Sequence, residues 1–168
     1  MYKPSYLFDR TPEEKRDMFK SWARSDQAFF ANGACHILTE VFVQLHGYEG
    51  FKMVHIKPTA GFPGNHMFAS NGVWAFDHNG WTREAELLEI TVAAYRKRYP
   101  GWSYTKIIIE PGTTALEDFC KANDHRLPWQ FAYLPWGRAR KYIDTFADRA
   151  PVGLTGIQGE AHSPSQDR

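Results

Sequence analysis

Cys35, His66 and Asp77 are the residue types of a thiol nucleophile, a base and a group that orients the base. Cys35 follows Asn32-Gly33-Ala34 and opens an apolar repeat of Ile37, Leu38, Val41, Phe42 and Leu45 at helical spacing. A cysteine at a helix N-terminus meets unsatisfied backbone N–H groups and the positive end of the helix dipole, both of which favour its thiolate. Cys35, Leu38 and Phe42 share a face, so the sulfur should point toward the surface on which the helix packs. His66 and Asp77 stand on two short runs separated by Asn71-Gly72, a strong hairpin signal. A two-residue loop at Asn71 and Gly72 predicts Ser70 opposite Val73, Phe68 opposite Ala75 and His66 opposite Asp77. Facing residues have Cβ atoms roughly 4.5–5.5 Å apart, close enough for the carboxylate to accept from one imidazole N–H. The other ring nitrogen is then left as a base.

A developing oxyanion needs the Cys35 backbone N–H and one upstream donor, for which Asn32, Gln27 and the indole of Trp22 are candidates. Asn32 is preferred, although a turn residue before Gly33 is its other reading. Trp81, Trp102 and Asn65 are candidates to line a substrate cleft; for the two tryptophans, anchoring the edge of a core is the competing use. Trp74 and Phe76 alternate with the Asp77 face and should be buried behind the hairpin. Cys120 lies beside Phe119 within a helical pattern and reads as core packing. Cys35 and His36 diverge by about 100° on a helix, no histidine pair has i, i+4 spacing, and there is no Cys-x-x-Cys, so no metal is expected. His78 should turn away from Asp77, and His46, His55 and His125 should occupy surface or loop positions.

These residues need a scaffold. Thr11-Pro12-Glu13-Glu14 predicts a capped helix with Met18, Phe19 and Trp22 as its apolar stripe. The Cys35 helix should end at Gly47, followed by a strand over Phe51–Ile56, a Pro/Gly loop over Pro58–Asn65 and the hairpin. Thr82 should cap a helix carrying Leu87, Leu88, Thr91, Ala94 and Tyr95, closed by Arg96-Lys97-Arg98 and Pro100-Gly101. A strand over Tyr104–Ile109, a helix opened by a Thr114/Glu117 capping box and a last helix near Ala139–Phe146 complete the order. Helices and short strands in this order predict an α+β fold with helices packed on a mostly antiparallel sheet. Residues 1–149 form one expected catalytic domain, and residues 150–168, rich in Gly, Pro, Ser and Asp, an expected disordered tail.

Twenty Lys and Arg against nineteen Asp and Glu give a net charge of +1, which offers no strong field for nucleic acid or an anionic membrane. The apolar runs are too short for a membrane span or a signal peptide, so a cytoplasmic location is expected. Export by a route that needs no signal peptide, as for an enzyme delivered into another cell, is compatible with this composition.

Gly33-Ala34-Cys35-His36 resembles the Gly-x-Cys helix start of the transglutaminase-like branch of the papain-like cysteine enzymes. Asn65-His66-Met67 is similar to that family's catalytic histidine strand, and Gly72–Asp77 followed by Trp81 to the strand ending in its aspartate. The resemblance spans residues 32–81; it departs where His36 replaces an aromatic residue and where Asp77-His78-Asn79-Gly80 replaces an Asp-Pro-Thr type continuation. The resemblance implies a papain-like (transglutaminase-like) core with the cysteine at a helix N-terminus and the histidine and aspartate on adjacent strands. It implies a thioester on Cys35 in a hydrolase, protease, amidase or acyltransferase acting on a peptide, protein or small amide, without a cofactor. A catalytically silent module that keeps the scaffold and holds a peptide near the Pro58–Asn65 loop is the alternative.

Overall fold

The computed structural model describes residues 1–110 and 115–154. Its seven α-helices, among the described residues, are α1 (Pro12–Arg16), α2 (Met18–Trp22), α3 (Asp26–Ala31), α4 (Cys35–His46), α5 (Glu84–Arg98), α6 (Leu116–Asn123) and α7 (Trp136–Asp144). The strands β1 (Lys52–Pro58), β2 (His66–Ser70), β3 (Trp74–Asp77), β4 (Gly80–Arg83) and β5 (Tyr104–Ile109) form one sheet in the order β4-β3-β2-β1-β5. Every adjacent pair is antiparallel, which makes the fold α+β.

Period-2 alternation sends the strand side chains to two cores. Ala69 and Phe76 face α3, α4 and α7 with Phe29, Phe30, Ile37, Leu38 and Phe42. Val54, Ile56, Phe68 and Ala75 face α5 with Leu87, Tyr95 and Trp102. Trp74 and Phe76 do lie on the first of these faces, opposite Asp77.

Several local expectations shift. The Thr11 capping box forms, but Asp17 interrupts the helix by accepting from the Phe19 and Lys20 N–H groups and capping α2 anew. Met18 and Phe19 are therefore exposed rather than forming a core stripe. Thr82 belongs to β4, opposite Ala75, and α5 begins only at Glu84. The sheet edge, which continues the β3 hairpin, claims the residues whose types also suit a cap. Thr114 lies outside the described residues, as do residues 155–168 of the expected tail; α6 has Ala115 at its cap position. Among the described residues, no helix is long and apolar enough to cross a membrane.

Candidate active site

Asp77 closes β3 and is 1% exposed. Its Oδ2 accepts from His66 Nε2 at 3.0 Å and from the Tyr2 hydroxyl at 2.7 Å, and lies 3.2 Å from His78 Nδ1. Its Oδ1 accepts from the Asn79 backbone N–H at 2.8 Å and from Asn79 Nδ2 at 3.3 Å. Burial opposes the charge, but the His78 charge and the His66 and His78 contacts outweigh it and hold the carboxyl well below its ordinary range.

The His66–Asp77 contact forms in a different register from the one the hairpin signal predicts. Ser70 pairs with Ala75 and Ala69 with Phe76, because the tight turn centres on Gly72 and Val73 rather than on Asn71 and Gly72. The Asn71 N–H bonds the Trp74 carbonyl, and its side-chain oxygen accepts from the Val73 and Trp74 N–H groups. His66 and Asp77 are thus diagonal neighbours on one face, within reach of long side chains. A shift of two residues preserves the face; a shift of one would have separated them. His78 is a second correction: its 0% exposed ring turns toward Asp77 because Nε2 donates to the Lys3 carbonyl at 2.8 Å.

His66 is 1% exposed, and its Nδ1 is buried without a hydrogen-bond partner among the described residues. Burial lowers its basicity, but Asp77 and then Cys35 raise it, pushing the pKa to about 9. Cys35 is the first residue of α4 and packs with Met67 of β2 and Phe119 of α6. Burial raises its pKa, while His36, then His66, outweigh that and bring it well below the ordinary thiol value. The chain reaches Cys35 through Gly33 at φ +117°, a conformation that glycine tolerates and other residues resist.

A second cluster lies at the same cysteine. His36 is 0% exposed; its Nε2 donates to the Arg126 carbonyl at 2.7 Å and its Nδ1 is buried without a hydrogen-bond partner. Burial lowers its pKa, but Cys120 and Cys35 raise it to about 9. His125 is driven the other way, down to about 4, by burial. Cys35, His36 and His125 each bring one ligand atom within 4.8 Å of the others, a soft donor set of the kind that suits zinc. The separation expected between adjacent helical residues does not hold here, because the segment after α6 folds over the head of α4 and its Arg126 carbonyl orients His36. His66, Asp77 and His78 form a second such group, with its shared carboxylate already carrying Tyr2 and Asn79.

A cleft of about 470 Å³ reaches Cys35 and is lined among others by Arg10, Asn32, Gly33, Asn65 and His125. Asn65 lines this cleft, its Oδ1 accepting from His55 Nε2 at 2.6 Å and His125 Nε2 at 3.3 Å. Asn32 is also there, with its amide donating to Asp9 Oδ1 at 2.7 Å. The other candidates are elsewhere. Gln27 lines a separate cavity beside Tyr2 and Trp74, and Trp22 packs edge-on against Phe29 under Arg138. Trp81 joins Phe42, Phe51 and Phe76 in the core and donates to the Phe146 carbonyl at 3.3 Å. Trp102 is 2% exposed in the α5-side core and donates to the Pro63 carbonyl at 2.8 Å. His46 and His55 are buried, at 2% and 1% exposure, not on the surface: His46 stacks on Phe42 and bonds Glu49 at 2.7 Å, and His55 packs on Phe119.

Sequence reasoning missed Tyr2, His36, His78, His125 and Arg10 as neighbours of the cluster. Only His78 carried a local signal, in the Asp77-His78-Asn79-Gly80 turn. No family model, curated protein or solved structure matches the chain.

Proposed function

We propose that the protein carries out cysteine-dependent acyl chemistry on an amide or related bond, with Cys35 as nucleophile, His66 as base and Asp77 as the residue that orients the base. The observation that carries this reading is His66 itself: Nε2 is engaged by a buried carboxylate and Nδ1 is left unpartnered, beside a cysteine at a helix head that opens on a cleft. In this reading His66 Nδ1 takes the Cys35 proton and the thiolate adds to the substrate carbonyl. The oxyanion is met by N–H groups at the start of α4 and by Asn32. The leaving group takes the proton back from His66 as the tetrahedral intermediate collapses to a thioester, which water or an amine resolves. The helix-head cysteine and the histidine and aspartate on neighbouring strands support the papain-like, transglutaminase-like reading of the motif residues.

The test is the iodoacetamide labelling rate against pH, with Cys35 and Cys120 read separately by mass spectrometry in the wild type and in His66→Ala. Fast labelling of Cys35 with an apparent pKa well below about 8.5, raised in the variant, supports the thiolate–imidazole pair. Slow labelling with an ordinary pKa and indifference to His66 would sink it.

A second reading rests on the unpartnered, fully buried Nδ1 of His36: Cys35, His36 and His125 hold a soft divalent metal. Cobalt titration checks it, since a thiolate-to-cobalt charge-transfer band that disappears in Cys35→Ser belongs to this reading alone.

A further inference from the structure

The wall of the Cys35 cleft is basic. Arg10, Lys15 and Arg126 line it, against Asp124 as the carboxylate among its lining residues. Arg126 is partly engaged, its guanidinium donating to Ser21 Oγ at 3.4 Å and to the Lys15 carbonyl at 3.5 Å. Arg10 is different. Its Nε is buried with no hydrogen-bond partner among the described residues, and its guanidinium carbon lies 3.3 Å from where a Gly33 Cβ would stand, two residues from Cys35. The carboxylates that act on it are committed elsewhere: Asp9 accepts from Asn32 at 2.7 Å, and Glu14 accepts from the Thr11 N–H at 2.9 Å and pairs with Arg24 at 3.6 Å. Burial depresses the guanidinium's basicity, and Cys35 is the foremost of the groups that restore it. A half-buried arginine with a buried, unpaired nitrogen lacks the planar, two-oxygen partner that its fork is built to receive.

We propose that Arg10, supported by Lys15 and Arg126, is a carboxylate-binding subsite, so that the substrates of Cys35 are acyl compounds carrying a carboxylate near the bond that breaks. This rests on Cys35 being the nucleophile. Glycine at position 33 suits the subsite, because a Cβ there would stand 3.3 Å from the Arg10 guanidinium and shift it by a few tenths of an ångström. Arg10 is a binding residue in this account; the competing role is to stabilise the Cys35 thiolate.

Iodoacetate and iodoacetamide separate these roles, since both alkylate the same sulfur and only the former carries a carboxylate. Rates at Cys35 are measured by mass spectrometry at neutral pH and low salt, relative to N-acetylcysteine as the free-thiol reference. The expected result is a preference of about tenfold for iodoacetate over the free-thiol ratio, weakening as salt screens the charge. Arg10→Gln should abolish that preference by lowering the iodoacetate rate far more than the iodoacetamide rate, and Arg10→Lys should retain part of it. A wild-type ratio equal to that of the free thiol overturns the subsite, and this holds even if Arg10→Gln fails to fold. Equal falls in both rates in Arg10→Gln overturn it in favour of thiolate stabilisation. Cys35 inert to both reagents overturns the subsite together with the nucleophile reading, whereas rapid iodoacetamide labelling without an iodoacetate preference overturns the subsite alone.

Discussion

The two histidine clusters that meet near Cys35 are built on opposite principles. Around Asp77, Tyr2, His66, His78 and Asn79 gather on a single buried carboxylate, which supplies the counter-charge for His66. Around Cys35, the rings of His36 and His125 share no carboxylate among the described residues; His36 bonds a backbone carbonyl and His125 the side-chain amide of Asn65. Each ring's basicity follows the group it touches, so the Cys35 cluster itself holds both extremes. His66, tied to Asp77, and His36, beside two thiols, are pushed up to about 9, while His125 falls to about 4. Burial alone disfavours the imidazolium, and only a nearby acceptor that can carry negative charge reverses it. One cluster is a fixed, dry anchor; the other opens on a cleft.

The largest effect expected from breaking this contrast is on chemistry. If Cys35 is the nucleophile proposed above, His66→Ala should lower acyl transfer at it by a factor of roughly 10²–10⁴, measured as single-turnover formation of the acyl-enzyme by mass spectrometry. The matching change at His125, which is neutral near pH 7, should cost far less by the same measurement.

Next comes stability. Asp77→Ala removes the buried carboxylate that His66, His78 and Tyr2 contact and should cost about 3–5 kcal/mol in chemical denaturation, whereas His125→Ala should cost about 1 kcal/mol or less. The acid limb has a defined sign. The Asp77 carboxyl titrates lower in the folded protein than its unfolded value of about 3.9, so its contribution is present above that pH and is lost as pH falls through the folded value. Melting temperature should therefore fall more steeply with acid in the wild type than in Asp77→Asn.

A smaller effect is expected at the turn that follows Asp77. Gly80 has φ +78°, and a Cβ there would stand 2.3 Å from the Phe146 ring, so Gly80→Ala should cost about 1–3 kcal/mol by the same denaturation assay. The smallest perturbation uses none of these variants: imidazole resonances followed by NMR should place His125 near 4 and His66 near 9. Similar values for the two rings would remove the contrast.

Local patterns in the sequence decided a good part of this. The apolar repeat after Gly33-Ala34 placed Cys35 at the head of α4, and the strand over Tyr104–Ile109 and the antiparallel hairpin were legible from β-branched runs and a turn signal. The period of two put His66 and Asp77 on one face even though the register differed by two residues, because parity survives an even shift. Other features were beyond local reading. The fourth strand was hidden because its residues also suit a helix cap, and only the β3 edge recruits them as a strand. Tyr2 reaches Asp77 across 75 residues, and His36 reaches the Arg126 carbonyl across 90. Arg10 likewise closes on Gly33 from the connection before α1. Propensity and periodicity act over a few residues, so they set which atoms lie on which face. Which distant elements cover those atoms, and whether a buried ring finds a carboxylate, a thiol or only a carbonyl, is settled by packing, and that decides where the charge resides.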